Sequence, residues 1–159
     1  MAANARHALC SCLTVAAASL VLCTSHASEA PVAPVAMDGT LLRGLGLQRV
    51  APYRKDITLS GLQRLSASQL FEGAITIDVW ETQDGGTLLL KDYPFDQYVH
   101  VLHGSTTLTP AGGRARSFAA GDSFVLPRGF RGTWTVSKGF REILIIESKS
   151  LKEGISQFE

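Results

Sequence analysis

Short apolar runs separated by turn residues dominate the chain between residues 74 and 147. The runs are rich in β-branched and aromatic residues, and the segments between them carry Gly, Asp or Pro. This pattern predicts eight strands, which read in order AITIDVWE, TLLLKDY, QYVHVLHG, STTLTP, RARSFAA, SFVLP, RGTWTV and FREILIIE. Strands at this spacing, with no helical periodicity among them, indicate an all-β fold built as an antiparallel barrel or sandwich.

The segments on either side of this region have a weaker pattern. Residues 53–60, YRKDITLS, alternate as an edge strand does. Residues 66–73, SASQLFEG, begin with a Ser cap signal that predicts a helical turn. After Glu147 the chain reads SKSLKEGISQFE, which is polar, so we expect this tail to wrap the outside of the fold.

The N-terminal segment has the order of a secretory signal peptide. Arg6 supplies a positive charge, residues 8–23 form an apolar run, and the small residues Ser25 and Ala27 stand just before a cleavage site. Cleavage there would leave Ser28 as the N-terminus of a secreted or periplasmic protein that has no membrane segment.

Two other interpretations of this segment stay open. Residues 8–23 could be an uncleaved membrane anchor, although a spanning helix needs about 20 apolar residues and Ser and Thr interrupt this run. Cys23 could instead be the acylated residue of a lipoprotein, although Leu22 stands where that signal requires a small residue. The signal peptide is the favoured interpretation because the charge, apolar run and small residues follow one another in its order.

One folded domain is expected, because a chain of 159 residues supports one hydrophobic core and not two of comfortable size. The predicted division is a signal peptide at residues 1–27, an extended leader at 28–40 and one domain at 41–159. The leader is rich in Ala, Pro and Val without a period, which suits an extended segment.

Cysteine positions and net charge narrow the function. The chain has three cysteines, Cys10, Cys12 and Cys23, and all lie in the signal, so no disulfide, thiolate zinc site or cysteine nucleophile is expected after cleavage. Removal of Arg6 takes the formal net charge from +1 to zero. A neutral chain gives no electrostatic reason to bind nucleic acid or an anionic membrane, so small molecules or copies of itself are the expected partners.

Two stretches resemble the conserved motifs of the cupin family. They are DGGTLLLKDYPFDQYVHVLHG and GDSFVLPRGFRGTW, and the second is most similar to the ureidoglycine aminohydrolase type of cupin. In the family the second motif is Gly, five residues, Pro, one residue, Gly, two residues and a metal-binding His. Gly121, Pro127 and Gly129 match this spacing. The resemblance covers residues 74–147 and implies a single cupin-type antiparallel β-barrel, a jelly roll.

The resemblance also locates the four positions at which a metal-binding cupin holds its ligands. Counting from Gly85 and Gly104 puts Lys91, Tyr93 and Gln97 at the positions of two His and a Glu, and the fourth position is Gly132. None of the four offers an imidazole or a carboxylate, which a divalent transition metal prefers. We therefore expect no metal cofactor.

A rival set of metal ligands can be assembled from the residues nearby. Asp92, Asp96, His100 and His103 include two carboxylates and two imidazoles. Strand alternation counts against this set, because Asp96 and His100 share one face of the strand whereas His103 shares the other.

The four family positions suggest a small-molecule pocket instead. Lys91, Tyr93 and Gln97 would place a cation, a phenol and an amide inside the barrel, and Trp134 would share the face of Gly132. A carboxylate, a ureide or a sugar would suit such a pocket, and the absent side chain of Gly132 would leave volume beside Trp134. The alternative is a filled core, in which Tyr93 is hydrogen-bonded to Gln97 and Lys91 extends to the mouth.

Two classes of function remain open from the sequence. The first is an exported binding module that holds a small polar or anionic molecule, most simply as a homodimer. The second is a cupin enzyme acting on a small ureide, carboxylate or sugar. Such an enzyme would use a metal on a non-standard ligand set, or Lys91 as a base with a lowered pKa.

Overall fold

The computed structural model describes residues 32–158, which form two short helices, a 3-10 turn and eleven strands. The predicted signal peptide lies outside the described residues. The helices are α1 (Gly39–Leu42) and α2 (Ser148–Gly154), followed by the 3-10 turn Ile155–Gln157. The strands are β1 (Gln48–Val50), β2 (Thr58–Gly61), β3 (Leu65–Glu72), β4 (Ile75–Thr82), β5 (Gly86–Leu90), β6 (Gln97–His103), β7 (Ser105–Pro110), β8 (Arg116–Ala119), β9 (Ser123–Leu126), β10 (Gly132–Val136) and β11 (Arg141–Glu147).

The strands form two antiparallel sheets. One sheet has six strands in the order β1-β3-β4-β11-β6-β9, and the other has five in the order β2-β5-β10-β7-β8. Strands β4 to β11 correspond one by one to the eight strands predicted from the apolar runs. The all-β prediction is therefore confirmed. Of the edge strand predicted at residues 53–60, only residues 58–60 lie in a strand, which is β2 at the end of the five-stranded sheet.

Turn residues end the strands where the sequence predicted. Gly121 has a φ of +94°, a conformation that costs little only for glycine, and it turns the chain from β8 into β9. The backbone N–H of Ala119 closes this turn on the carboxylate of Asp122 at 2.8 Å. Pro127 follows directly after β9 ends, because a proline has no N–H to donate to the sheet.

The predicted helical turn at residues 66–73 is wrong. Residues 66–72 belong to β3, which pairs with β1 on one side and with β4 on the other. The Ser cap signal is a local preference, and the pairing with two neighbouring strands outweighs it. Leu65 at the start of β3 is fully buried, which anchors the strand in the core.

The hydrophobic core lies between the two sheets. It includes Leu62, Trp80, Val99, Val101 and Phe140, all nearly inaccessible to solvent. None of the helices within the described residues is long and apolar enough to cross a bilayer.

Candidate functional site

A cavity of about 270 Å³ remains between the two sheets. Its volume lies just below the range of about 300–1,000 Å³ that is typical of small-molecule sites, so an occupant would have to be small. The lining residues are mostly apolar and come from both sheets and from both ends of the domain. They are Val50, Ala51, Pro52, Tyr53, Ala67, Asp78, Trp80, Leu88, Leu90, Tyr93, Phe95, Gln97, Trp134, Glu142, Leu144, Ile146, Leu151, Ile155 and Phe158.

Tyr93 and Gln97 meet in the wall of this cavity. The Tyr93 hydroxyl donates a hydrogen bond to the side-chain oxygen Oε1 of Gln97. Burial raises the pKa of Tyr93 well above its ordinary value, so the hydroxyl keeps its proton. The amide nitrogen Nε2 of Gln97 is buried and has no hydrogen-bond partner among residues 32–158.

Trp134 and Trp80 contribute the two indole rings of the cavity wall. Trp134 lies on β10, and its Nε1 donates to the hydroxyl of Thr106 at 2.6 Å. That hydroxyl donates in turn to the backbone carbonyl of Thr135 at 2.9 Å. The indole of Trp134 is therefore held in place by a fully bonded polar edge while its apolar surface lines the cavity.

Glu142 is a cavity residue that the sequence analysis missed. It lies on β11, where alternate positions face the cavity, as do Leu144 and Ile146. Its side chain is 3 % exposed, and its Oε2 atom has no hydrogen-bond partner within the described part of the chain. Burial raises the pKa of Glu142 to about 8, so the carboxyl is protonated at neutral pH. The sequence signal that could have identified Glu142 is a single carboxylate at an inward position of an otherwise apolar strand.

Asp78 and Tyr53 add two further acidic groups to the same wall. Burial, and then the charge of Glu72, raise the pKa of Asp78 to about 6. Burial, and then the charge of Glu142, raise the pKa of Tyr53 above its ordinary value. The cavity is therefore an environment in which acids are held closer to their neutral forms.

The C-terminal segment covers one side of the cavity. Phe158 packs against Tyr53, Tyr93 and Phe95 at ring-centroid distances of 6.1, 5.8 and 6.1 Å. Its carbonyl accepts a hydrogen bond from the backbone N–H of Arg54 at 3.1 Å. The expectation that this tail only wraps the outside is wrong, because its apolar residues form part of the cavity wall.

Comparison with known proteins identifies the fold. Residues 70–143 match the family model described as the EutQ-like cupin domain. Over these residues the chain is similar to a cupin domain, and its fold is a cupin-like jelly roll. This confirms the resemblance of the two motifs to cupins, whereas the ureidoglycine aminohydrolase type stays a prediction. No curated protein sequence matches the chain.

Solved structures share the cupin jelly roll at low sequence identity. A protein of unknown function from the DUF861 family of Pseudomonas syringae is 19% identical, with a TM-score of 0.58 over 63% of this chain and 43% of its own. A cupin-like protein from Thermotoga maritima is 15% identical, with a TM-score of 0.51 over 66% of this chain and 83% of its own. The chain thus spans less than half of the Pseudomonas protein, and these similarities show the fold alone.

The residues at the cupin metal positions do not fit a metal ion. Tyr93 and Gln97 direct their oxygens toward each other, and Gly132 has no side chain. Within residues 32–158 no three His, Cys, Asp or Glu side chains are grouped closely enough to hold a metal. The rival set is dispersed. Its member His100 bonds to the Ser123 hydroxyl, and His103 bonds to the carbonyl of Gly139.

Lys91 does not join the other predicted pocket residues. It is exposed and lines a separate surface depression with Arg54, Asp56 and Asp92. Its position in the cupin motif suggested an inward side chain, but Leu88 and Leu90 are the β5 residues that line the cavity, and Lys91 follows the last residue of that strand. The cavity between the sheets therefore lacks the Lys91 ammonium group that was expected there from the sequence.

The structure also corrects the role of Gly132. Its φ is +152°, and a Cβ at this position would overlap the carbonyl oxygen of Thr109 and approach the Cα of Pro110 to 2.9 Å. The space beside this glycine is therefore filled by the backbone of β7 and holds no room for a ligand. Gly132 is required for the close approach of β7 and β10.

Proposed function

We propose that this cupin domain binds a small, largely apolar molecule with a hydrogen-bonding group in the cavity between its sheets. The observation that carries the proposal is a pair of unpartnered polar atoms, Gln97 Nε2 and Glu142 Oε2, on the wall of one cavity. Buried polar groups without partners are rare and cost about 1–3 kcal/mol each. A bound molecule that pairs with one of them would recover part of that free energy.

The cavity volume distinguishes this proposal from a filled core. The hydrogen bond between Tyr93 and Gln97 is the one that a filled core would contain. Side chains do not fill the remaining 270 Å³, and aromatic rings surround that space. A few polar groups in a mainly apolar cavity are the usual composition of a small-molecule site.

The position of Lys91 changes the kind of ligand that we propose. The sequence predicted a polar or anionic molecule, and an anion needed Lys91 inside the barrel. The cavity instead holds the carboxyls of Asp78 and Glu142. An uncharged or cationic molecule is therefore the better match, and of the three ligand classes suggested by the sequence a carboxylate fits the cavity least.

Ligand binding can be measured through the intrinsic fluorescence, since the only two tryptophans of the chain both line the cavity. We expect at least one member of a panel of small amines, amides, sugars and carboxylates to change this fluorescence and to raise the melting temperature. Leu144→Phe should weaken binding by occupying the cavity, and Lys91→Met is the matched control outside it. The proposal would be refuted if no compound of the panel bound, or if the Leu144→Phe variant bound a ligand as tightly as the wild type.

We propose further that binding needs no cupin metal. The ligand positions hold Lys91, Tyr93, Gln97 and Gly132, of which none is an imidazole or carboxylate. Protein purified without a metal-binding tag should contain well under one equivalent of transition metal. A chelator should leave its melting temperature unchanged, because no metal-binding free energy would be lost. Stoichiometric metal together with a chelator-induced loss of stability would refute this.

Catalysis is the second function class, and the ureidoglycine aminohydrolase type is its specific form. The observation in its favour is Glu142, a cavity carboxyl whose pKa burial raises to about 8, in the range of a general acid or base. Lys91 is not placed for this role because it lies outside the cavity. Turnover of a ureide, a carboxylate or a sugar that Glu142→Gln abolishes would favour the enzyme over the binding module.

Export is proposed from the order of residues 1–27. The apolar run and the pair Ser25 and Ala27 support a secreted or periplasmic protein. Mass spectrometry of the protein from its native host should find a mature chain that begins at or near Ser28. Recovery of the full-length chain in the membrane fraction would contradict this.

A homodimer is proposed from the edges of the sheets. Strand β2 lies at the end of the five-stranded sheet, and unpaired strand edges commonly find partners. Light scattering at micromolar concentrations should give twice the mass of the mature chain. A monomer throughout the accessible concentration range would refute the dimer.

A further inference from the structure

Aromatic rings surround the cavity at several orientations. Tyr53 lies 5.9 Å from Trp80 in a stacked arrangement, measured between ring centroids. Tyr93 stands at 77° to Trp134 and at 67° to Phe158, with centroid distances of 6.5 and 5.8 Å. All five rings line the same cavity, and their planes stand at different angles to one another. Ring faces are the surfaces that attract an organic cation.

The titratable side chains that line this cavity are all acidic. The side chains of Asp78 and Glu142 reach it, and no Lys, Arg or His is among its lining residues within the described part of the chain. Glu142 has no counter-ion there, and its Oε2 atom has no hydrogen-bond partner among residues 32–158. A buried carboxyl in this condition stays protonated unless a cation arrives beside it.

The strand register places the two carboxyls on the same side of the sheet. Asp78 is paired with Leu144, and Trp80 is paired with Glu142, in the antiparallel ladder of β4 and β11. Asp78 and Glu142 are therefore diagonal neighbours, a relationship in which Cα atoms lie about 7–8 Å apart. A single small cation between them could interact with both carboxyls and with the neighbouring indole of Trp80.

We infer that the occupant of the cavity is a small organic ammonium ion with apolar substituents, held by the aromatic rings and by the carboxylate of Glu142. This inference rests on the proposed ligand-binding function and names its ligand class. An anion would be repelled by Asp78, and a neutral ligand could at most form a hydrogen bond with the protonated carboxyl of Glu142. An ammonium ion satisfies the carboxyl and the rings at the same time.

Binding should be coupled to the release of a proton. Because the carboxyl of Glu142 is protonated at neutral pH in the empty cavity, a bound cation favours its ionised form. The other titratable groups facing it in the cavity are Asp78 from β4, Tyr53 from the β1–β2 connection and Tyr93 from the β5–β6 connection. Both tyrosines stay neutral at the pH values at which Glu142 ionises. Asp78 ionises at lower pH, and its negative charge also favours a bound cation. Affinity for the cation should therefore rise with pH until Glu142 is fully ionised.

The test compares two probes of the same shape. Choline carries a quaternary nitrogen, and 3,3-dimethylbutan-1-ol carries a carbon in its place. Titration of the full mature chain, followed by tryptophan fluorescence and calorimetry, should give at least about tenfold tighter binding of choline at pH 8.5 than of the alcohol. At pH 6 the affinity for choline should fall, and calorimetry near neutral pH in buffers of different ionisation enthalpy should register the released proton.

Matched variants assign the counter-ion. Glu142→Gln keeps the shape of the side chain and should remove both the preference for choline and its pH dependence. Glu153→Gln changes an exposed carboxylate on α2 and should leave both unchanged. Asp78→Asn should weaken choline binding to a smaller degree. Choline binding that survives in Glu142→Gln would overturn the assignment of the counter-ion.

The outcomes separate this inference from the proposed function. If the alcohol or a neutral amide binds as well as choline, the ammonium inference is wrong, while small-molecule binding in the cavity stands. If neither probe nor any member of the wider panel changes the fluorescence or the melting temperature, the proposed binding function fails as well.

Discussion

In the interior of the barrel, the hydroxyl of Tyr93 donates a hydrogen bond to the side-chain carbonyl oxygen of Gln97. These two residues occupy positions at which metal-binding cupins carry a His and a Glu, so a neutral pair stands where metal ligands would be. The bond fixes the amide so that its Nε2 atom remains unpartnered among the described residues. A hydrogen-bonded pair thus stands at two positions where the cupin resemblance implied metal ligands, and one donor of that pair has no partner among the described residues.

Removal of the Tyr93 hydroxyl should destabilise the fold. In Tyr93→Phe the buried Oε1 atom of Gln97 loses its donor, so the free energy of unfolding should fall by about 1–3 kcal/mol in urea denaturation. Tyr98→Phe is the matched control, because the Tyr98 hydroxyl bonds to Ser123 at the exposed surface. That change should stay within about 0.5 kcal/mol. Equal effects of the two substitutions would contradict the buried pair.

The protonation of Glu142 should make stability depend on pH. Its pKa is about 8 in the folded chain against an ordinary value of 4.5, so its contribution to stability is fully present below about pH 4.5. As pH rises toward 8, the unfolded chain ionises and the folded chain does not, so that stability is lost by up to about 1.4 kcal/mol per pH unit. Glu142→Gln should therefore become more stable than the wild type across this window.

Urea denaturation at several pH values between about 5 and 8 measures this difference. Glu153→Gln serves as the control, since that carboxylate lies at the surface of α2 and its curve should follow the wild type. Parallel curves for Glu142→Gln and the wild type would show that the carboxyl is ionised in the folded protein.

The strands could be predicted because their signals are local. Each apolar run is bounded by residues that turn the chain. Tyr93 and Gln97, which the motif spacing suggested as inward residues, both line the cavity. The motif position misplaced Lys91, which is exposed outside the cavity. Leu88 and Leu90 of β5 face the cavity, so the alternation of that strand is consistent with an outward side chain at the next residue.

The other errors concern contacts between distant parts of the chain. A side chain at Gly132 would overlap the backbone of Thr109 on β7. The motif around Gly132 contains no residue that predicts this contact. Phe158 looked like part of a polar tail, yet it packs against rings that lie far earlier in the sequence, Tyr53 among them. Glu142 was missed because a charged residue in an apolar strand is also compatible with an outward position.

Loss of the Phe158 ring should open the cavity to solvent. Because this ring packs against Tyr53, Tyr93 and Phe95, Phe158→Ala should increase the quenching of tryptophan fluorescence by acrylamide. Both tryptophans of the chain line the cavity, so quenching measures access to it. Leu59→Ala, at an exposed position on β2, is the control. Unchanged quenching in Phe158→Ala would mean that the C-terminal segment does not cover the cavity.

Substitution of Gly132 by alanine should destabilise the barrel and should not alter a ligand site. The φ of +152° is strained for any residue with a Cβ, which costs about 1–3 kcal/mol. The Cβ would also overlap the backbone of Thr109, so β7 and β10 would have to separate. Gly112→Ala isolates the first effect, because Gly112 has a φ of +72° and nothing within 4 Å of an added Cβ.

We therefore expect Gly132→Ala to lower the free energy of unfolding clearly more than Gly112→Ala does, by urea denaturation of the two variants side by side. The affinity of the remaining folded protein for a cavity probe should be unchanged, since Gly132 does not line the cavity. If Gly132→Ala instead leaves stability intact and weakens binding, the space beside this residue belongs to the ligand, as the sequence alone had suggested.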